Sequence, residues 1–272
     1  MNYLINKHNK QPQARCQPGL CNQMTIYLFG DSFSSNESYD LDWLWYNRVA
    51  HELSDNLSHH GIRGSSCQYL YQQFHDVHQE IQPQDLLIVC LPAFNRQWFF
   101  LDKPGASSLT TARRHGISAE QYGAVQQYYR HLYQDRVTEM SVLNFLYRLD
   151  SMVAATGCRA LIIGCFKNDS LWLANNKPIW KFLHVAVGSL QEVSDGELGL
   201  DIDHPKRERL WFILDPRANH LCRINHKILS DKIMHWLLSS EQVNLNQGFE
   251  TGLITMESLS NPQFLRTELK SS

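Results

Sequence analysis

The fold is decided by the stretch Met24-Thr25-Ile26-Tyr27-Leu28-Phe29-Gly30-Asp31-Ser32-Phe33-Ser34. Its apolar, β-rich first half gives way at once to small and polar residues, which predicts a buried strand that ends in a loop. Open α/β sheets bind ligands at the carboxyl ends of their strands, so Ser32 is expected where chemistry takes place. Gly30 permits a sharp turn, and Asp31 can hydrogen-bond the neighbouring backbone. Gly-Asp-Ser in isolation is an ordinary turn, so the rest of the chain decides its meaning.

The remaining apolar runs predict an alternating α/β chain. Further strands are expected at 56–62, 85–91 and 159–166, and helices at 40–53, 67–80, 119–156 and 223–238. The segment 167–214 is expected to be an irregular excursion. In the last helix the residues expected to face inward are Ile224, Ile228, Ile233 and Leu237. Continuous apolar strands that alternate with helices are typical of a parallel sheet covered on both faces.

Four separated blocks of the sequence resemble the SGNH (GDSL-type) hydrolases, a family named after its Ser, Gly, Asn and His blocks. The resemblance covers roughly Thr25 to Leu238 and is strongest at the first block, around Ser32, and the last, around His220. It implies a three-layer α/β/α, flavodoxin-like domain with a parallel sheet, and hydrolysis of esters through a serine nucleophile.

A nucleophilic serine needs a base and a group that orients the base. The resemblance assigns Ser32 as nucleophile, His220 as base and Asp215 as orienting group, with His226 as a second, structural histidine. The family most often spells this block Asp-x-x-His, whereas four residues separate Asp215 from His220. The run Asp201-Ile202-Asp203-His204-Pro205 has the more regular spelling, but no amphipathic helix follows it. His220 is therefore preferred to His204.

The oxyanion hole is expected to contain the Ser32 and Gly64 amides and the Asn95 side chain. Gly61 competes with Gly64, and a plain tight turn is the other interpretation of either glycine. The third block usually reads Gly-x-Asn-Asp in the family, whereas this chain has Ala93-Phe94-Asn95-Arg96. Arg96 either binds an anionic group of the substrate, which is favoured, or pairs with a carboxylate such as Asp31.

Three aromatic residues follow the third block: Trp98, Phe99 and Phe100. They form either a pocket wall or part of the core, and the core is the better interpretation for at least two of them. Trp98 is retained as a candidate substrate-binding residue.

The length of 272 residues fits one large domain with arms. We expect a polar N-terminal arm over 1–22, a hydrolase-like domain over 23–238 and a polar C-terminal tail over 239–272. The arms offer a route to oligomers. A net charge of −2 gives no reason to expect nucleic acid or an anionic membrane as partner, and no apolar run is long enough to span a bilayer. The absence of a secretory leader favours a cytoplasmic protein, or one released without a signal, such as a virion component.

Neither the cysteines nor the histidines follow a metal-binding pattern, so no metal and no cofactor are expected. Cys90, Cys158 and Cys165 lie in or beside strand-like runs and indicate small buried hydrophobic residues, and Cys16 and Cys21 are expected as free thiols. The pairs His59-His60 and His75/His78 lack accompanying ligands at suitable spacing.

These observations favour an esterase that acts on a small O-acyl or O-acetyl ester, for which a carbohydrate is one candidate carrier. Two alternatives remain open. One is a non-catalytic binding or assembly protein that keeps the fold, which the departures in the third and last blocks favour. The other is an O-acyltransferase that uses the same residues and excludes water.

Overall fold

The computed structural model describes residues 24–35, 41–53, 55–99, 118–176, 179–197 and 221–253. Within these ranges it contains five strands and seven helices. In chain order they are β1 (Thr25–Gly30), α1 (Trp45–Leu53), β2 (Asn56–Gly61), α2 (Cys67–Val77), β3 (Leu86–Leu91), α3 (Ala119–His131), α4 (Asp135–Thr156), β4 (Arg159–Gly164), α5 (Lys167–Asn176), β5 (Leu183–Ser189), α6 (Leu190–Glu197) and α7 (Arg223–Ser239).

All five strands are parallel and lie in the order β2-β1-β3-β4-β5. This is the doubly wound, flavodoxin-like order, and its direction reverses between β1 and β3. The crevice at such a reversal point is where folds of this kind bind ligands, so the loops after β1 and β3 are the first place to search for a site.

The sheet lies between two layers of helices, because alternate residues of each buried strand face opposite sides. Ile26 and Leu28 of β1 pack in the cluster that includes α1, α6 and α7, whereas Tyr27 and Phe29 pack in the cluster that includes α2, α4 and α5. The fold is therefore the three-layer α/β/α architecture that the sequence predicted.

The predicted irregular excursion over 167–214 is wrong for much of its length, because α5, β5 and α6 lie inside it. β5 pairs with β4 and completes the sheet. The predicted single helical stretch over 119–156 is interrupted at 132–134, which divides it into α3 and α4. The two helices follow each other in the chain between β3 and β4.

The predicted inner face of the last helix needs a correction, since Ile224 is 45% exposed and Ile228 and Leu237 are only partly buried, which leaves Ile233 as the buried member of the four. The buried residues of α7 are Asn225, His226, Leu229, Ser230, Ile233 and Trp236. Three of these six are polar, so apolar periodicity alone could not locate the buried face.

The first part of the predicted C-terminal tail packs on the domain. Val243 and Leu245 are each 3% exposed, and backbone hydrogen bonds join both residues to Val187 of β5. The rest of the predicted tail, from 254 on, and the predicted arm over 1–22 lie outside the described residues.

Candidate active site

The loop after β1 holds Ser32 in a tight turn. The Ser34 amide donates to the Asp31 carbonyl oxygen at 3.0 Å, and Ser32 is 9% exposed. Gly30 has φ +151°, and a Cβ there would lie 2.6 Å from the Cys90 carbonyl oxygen of β3. The chain can make this turn because residue 30 has no side chain.

Asp31 is fully buried and fixes this loop from within. Its Oδ1 accepts from the Phe33 amide at 3.1 Å, and its Oδ2 accepts from Arg96 Nη1 at 2.8 Å. A buried carboxylate needs a partner of this kind. The pairing of Arg96 with Asp31 is one of the two roles that the sequence left open for Arg96, and a role in substrate binding stays a prediction.

The second block lies directly beside the Ser32 loop. The Ile62 amide donates to the Gly30 carbonyl oxygen at 3.0 Å, and a Cβ at Gly61 would overlap the Ser34 carbonyl oxygen. Gly64 adopts φ +73°, which favours glycine, two residues before the helix cap Ser66. Gly61 therefore permits close packing and Gly64 permits a turn, while an oxyanion role for the Gly64 amide stays a prediction.

Asn95 lies in the turn after β3 and is exposed, and no described residue hydrogen-bonds its side-chain amide. Its carbonyl oxygen accepts from the Tyr129 hydroxyl of α3 at 2.6 Å. Two residues on, the Gln97 side chain donates to Thr138 of α4 at 3.2 Å. Contacts with α3 and α4 thus hold the third block and leave the Asn95 amide available.

Arg96 joins the three loops. Besides its bond to Asp31, Nη1 donates to the Ser65 carbonyl oxygen at 3.4 Å, and the guanidinium lies 4.9 Å from the centre of the Phe166 ring. The loops after β1, β2 and β3 are therefore connected through one side chain.

Trp98 and Phe99 pack on other aromatic rings. Trp98 meets Tyr69 edge to face with ring centres 5.1 Å apart, and Phe99 meets Tyr128 at 5.0 Å. Both are partly exposed, so they form a border between the core and the surface beside Asn95. Substrate binding by Trp98 stays a prediction, and Phe100 lies outside the described residues.

Of the two histidines that the resemblance assigns to the last block, the structure describes His226. His226 is fully buried, and its Nδ1 accepts from the Trp45 amide, the first of α1, at 3.3 Å. An accepting Nδ1 carries no proton, so this bond assigns the proton of the neutral ring to Nε2. The Trp45 indole in turn donates to the Phe33 carbonyl oxygen at 3.3 Å. His226 thereby holds α1, and α1 holds the loop of Ser32.

His220 and Asp215, together with the rival pair Asp201 and His204, lie outside the described residues. Leu221, which follows His220 in the chain, is 5% exposed and belongs to the same hydrophobic cluster as Phe33. The described chain thus resumes inside the core that supports the Ser32 loop.

Two carboxylates of the region, one partly buried and one buried, were not found from the sequence. Asp169, in the first turn of α5, accepts from the Phe94 amide at 3.3 Å, and burial raises its pKa to about 7. Glu197, at the end of α6, is 2% exposed and accepts from the Cys222 amide at 2.8 Å and from Asn225 Nδ2 at 2.7 Å. Burial raises the pKa of Glu197 to about 7 as well. An acidic residue in the first turn of a helix was the available signal for Asp169, whereas no local pattern marks Glu197.

Glu197 holds the beginning of α7, because its carboxylate accepts from the amide of Cys222, the residue that precedes the helix. No group of three or more His, Cys, Asp or Glu side chains is placed to hold a metal ion within the described ranges. None of the helices in those ranges is both long and apolar enough to cross a bilayer.

No model of a known protein family matches the chain, and no curated protein matches it closely enough to indicate a relative.

Proposed function

We propose that the protein is a serine hydrolase that cleaves a small O-acyl or O-acetyl ester. The observation that carries the proposal is the bonded junction of three loops at the carboxyl end of the sheet. Arg96 connects the Asp31 and Ser65 loops, and Ser32 and Asn95 flank the β1/β3 reversal point. Bound groups are expected at this end of a doubly wound sheet.

In the proposed reaction the Ser32 hydroxyl attacks the acyl carbon while His220 takes its proton, and Asp215 orients the imidazole. The amides of Ser32 and Gly64 and the side chain of Asn95 stabilise the oxyanion. Collapse of this intermediate expels the alcohol, which receives the proton from His220. Water then attacks the acyl-enzyme with His220 as base and releases the acid.

Two features of the described residues support the assignment of Ser32. No described residue hydrogen-bonds its hydroxyl, which leaves that group free to meet a base. The backbone on both sides of it is fixed by Asp31, Trp45 and Gly61, as a positioned nucleophile requires. The carbohydrate carrier and a role as acyltransferase remain narrower proposals on the same residues.

A non-catalytic binding protein is the second candidate, because Arg96 stands where the resembling family has an aspartate and is engaged by Asp31. Turnover of p-nitrophenyl acetate separates the two candidates. We expect His220→Ala to lower the turnover by orders of magnitude, as the loss of a triad member does, and His204→Ala to leave it nearly unchanged. If His204→Ala is the more damaging change, the base has been assigned to the wrong histidine; no turnover in the wild type favours the binding protein.

A further inference from the structure

The charges around Arg96 limit which substrates can bind in the corner of the site that Arg96, Asp31 and Asp169 form. This inference rests on the proposed function. Arg96 Nη1 is 2.8 Å from Asp31 Oδ2, and the side-chain exposures are 15% for Arg96 and 0% for Asp31. A fully buried carboxylate at this distance offsets the single positive charge of the guanidinium. Arg96 can still donate hydrogen bonds, but it brings no net positive charge.

Asp169 supplies a second carboxylate to the same corner. Its Oδ2 accepts from the Phe94 amide, in the turn that carries Arg96, and it lies three residues after Phe166, the ring beneath the guanidinium. Burial raises the pKa of Asp169 most; the hydrogen bond from the Phe94 amide and the Arg96 charge lower it, and the Asp31 charge raises it, which leaves it at about 7. Asp169 is therefore mostly protonated well below pH 7 and mostly ionised well above it.

Two neighbouring titratable groups, Cys67 and Lys167, do not compensate this charge. The Cys67 thiol is fully buried, and burial raises its pKa so that it stays neutral. Lys167, on the same helix, lies 3.6 Å from Glu192 and pairs with that carboxylate. Beside the Asp31–Arg96 ion pair, ionisation of Asp169 therefore adds negative charge to this corner as the pH rises from 6 to 8.5.

We propose that Asp169 is a specificity-determining residue, which with Asp31 outweighs the Arg96 cation so that the site accepts uncharged esters and disfavours carboxylate-bearing ones. Arg96 then serves as a hydrogen-bond donor to a neutral oxygen of the substrate. The interaction of Asp169 with a substrate carboxylate is repulsive, and like charges several ångströms apart in a partly buried site cost enough to change relative rates severalfold.

The test compares p-nitrophenyl acetate with the mono-p-nitrophenyl ester of succinic acid, which carries one carboxylate. We expect the wild-type kcat/KM ratio of the anionic to the neutral ester to fall about 3- to 10-fold between pH 6 and pH 8.5, since Asp169 ionises in this interval. Asp169→Asn keeps an oxygen for the Phe94 amide and removes the charge, so its ratio should fall much less steeply than that of the wild type. Asp231→Asn removes a carboxylate from the surface of α7, where Asp231 pairs with Lys227, and serves as the control.

A ratio in Asp169→Asn that falls as steeply as in the wild type would overturn the proposal. A binding measurement tests it without turnover, and so separates its failure from failure of the proposed function. At pH 8.5, monomethyl succinate should raise the melting temperature of Asp169→Asn more than that of the wild type, whereas neutral dimethyl succinate should affect both equally. Equal shifts of the two proteins with the monoanion would contradict the proposal even if the protein has no esterase activity.

Discussion

Removal of Arg96 should destabilise the protein far more than removal of a surface arginine. Arg96→Met keeps most of the apolar stem but removes the charged partner of the fully buried Asp31 carboxylate, which keeps the neutral Phe33 amide at 3.1 Å. Breaking a buried ion pair from one side costs about 3–5 kcal/mol, because a charge stays behind without compensation. The lost contact between the guanidinium and Phe166 acts in the same direction.

A double-mutant cycle in urea isolates the pair. Asp31→Asn/Arg96→Met should cost about 1–3 kcal/mol less than the sum of the single changes, as residues in direct contact do. Arg48→Met is the matched control, since Arg48 pairs with Glu52 at 3.6 Å on the exposed side of α1 and such pairs contribute about 0–1 kcal/mol. If Arg96→Met costs no more than Arg48→Met, or if the cycle is additive within about 0.5 kcal/mol, Arg96 does not hold the Ser32 loop.

Three further substitutions test the packing of the Ser32 loop, the ionisation of Glu197 and the oxyanion role of Asn95. Gly61→Ala places a Cβ on the Ser34 carbonyl oxygen and should lower stability by about 1–3 kcal/mol in thermal unfolding, whereas Gly123→Ala, with open space around it, should not destabilise. Burial raises the pKa of Glu197 from its ordinary 4.5 to about 7, so the contribution of this side chain to the free energy of unfolding falls as the pH rises between these values. Between pH 5 and pH 8, Glu197→Gln should therefore gain up to about 3 kcal/mol in free energy of unfolding relative to the wild type, as measured by urea unfolding. Asn95→Ala should lower kcat for p-nitrophenyl acetate by roughly 10²–10³ with little change in KM, and an unchanged kcat would remove Asn95 from the oxyanion hole.

The central strands were predictable because they are buried on both faces and leave continuous apolar runs, as Leu86–Leu91 does. β5 lies at the edge of the sheet and includes the exposed His184, so its pattern is broken. α5 carries three Asn and one Asp among ten residues, which are poor helix formers, and its packing against the sheet outweighs that preference. Tertiary contacts therefore decide the region that the sequence left irregular.

At the site, the sequence located the residues that end strands, because the carboxyl ends of parallel strands share one edge. It left the role of Arg96 open because a pairing between residues 31 and 96 depends on the register of β1 against β3. It missed Asp169 because no helix was predicted over 167–176, and it missed Glu197 because that side chain acts on the backbone of a distant segment, which leaves no local spacing to recognise.

The assignment of Ser32 as an activated nucleophile is tested most directly by a fluorophosphonate probe with intact-mass detection. Such a probe reacts with a serine whose hydroxyl is activated by a base and reports each addition as a fixed gain in mass. We expect one probe addition to the wild type, none to Ser32→Ala and strongly slowed addition to His220→Ala. Addition that persists in Ser32→Ala would contradict it, and no addition to the folded wild type would contradict the proposed activity altogether.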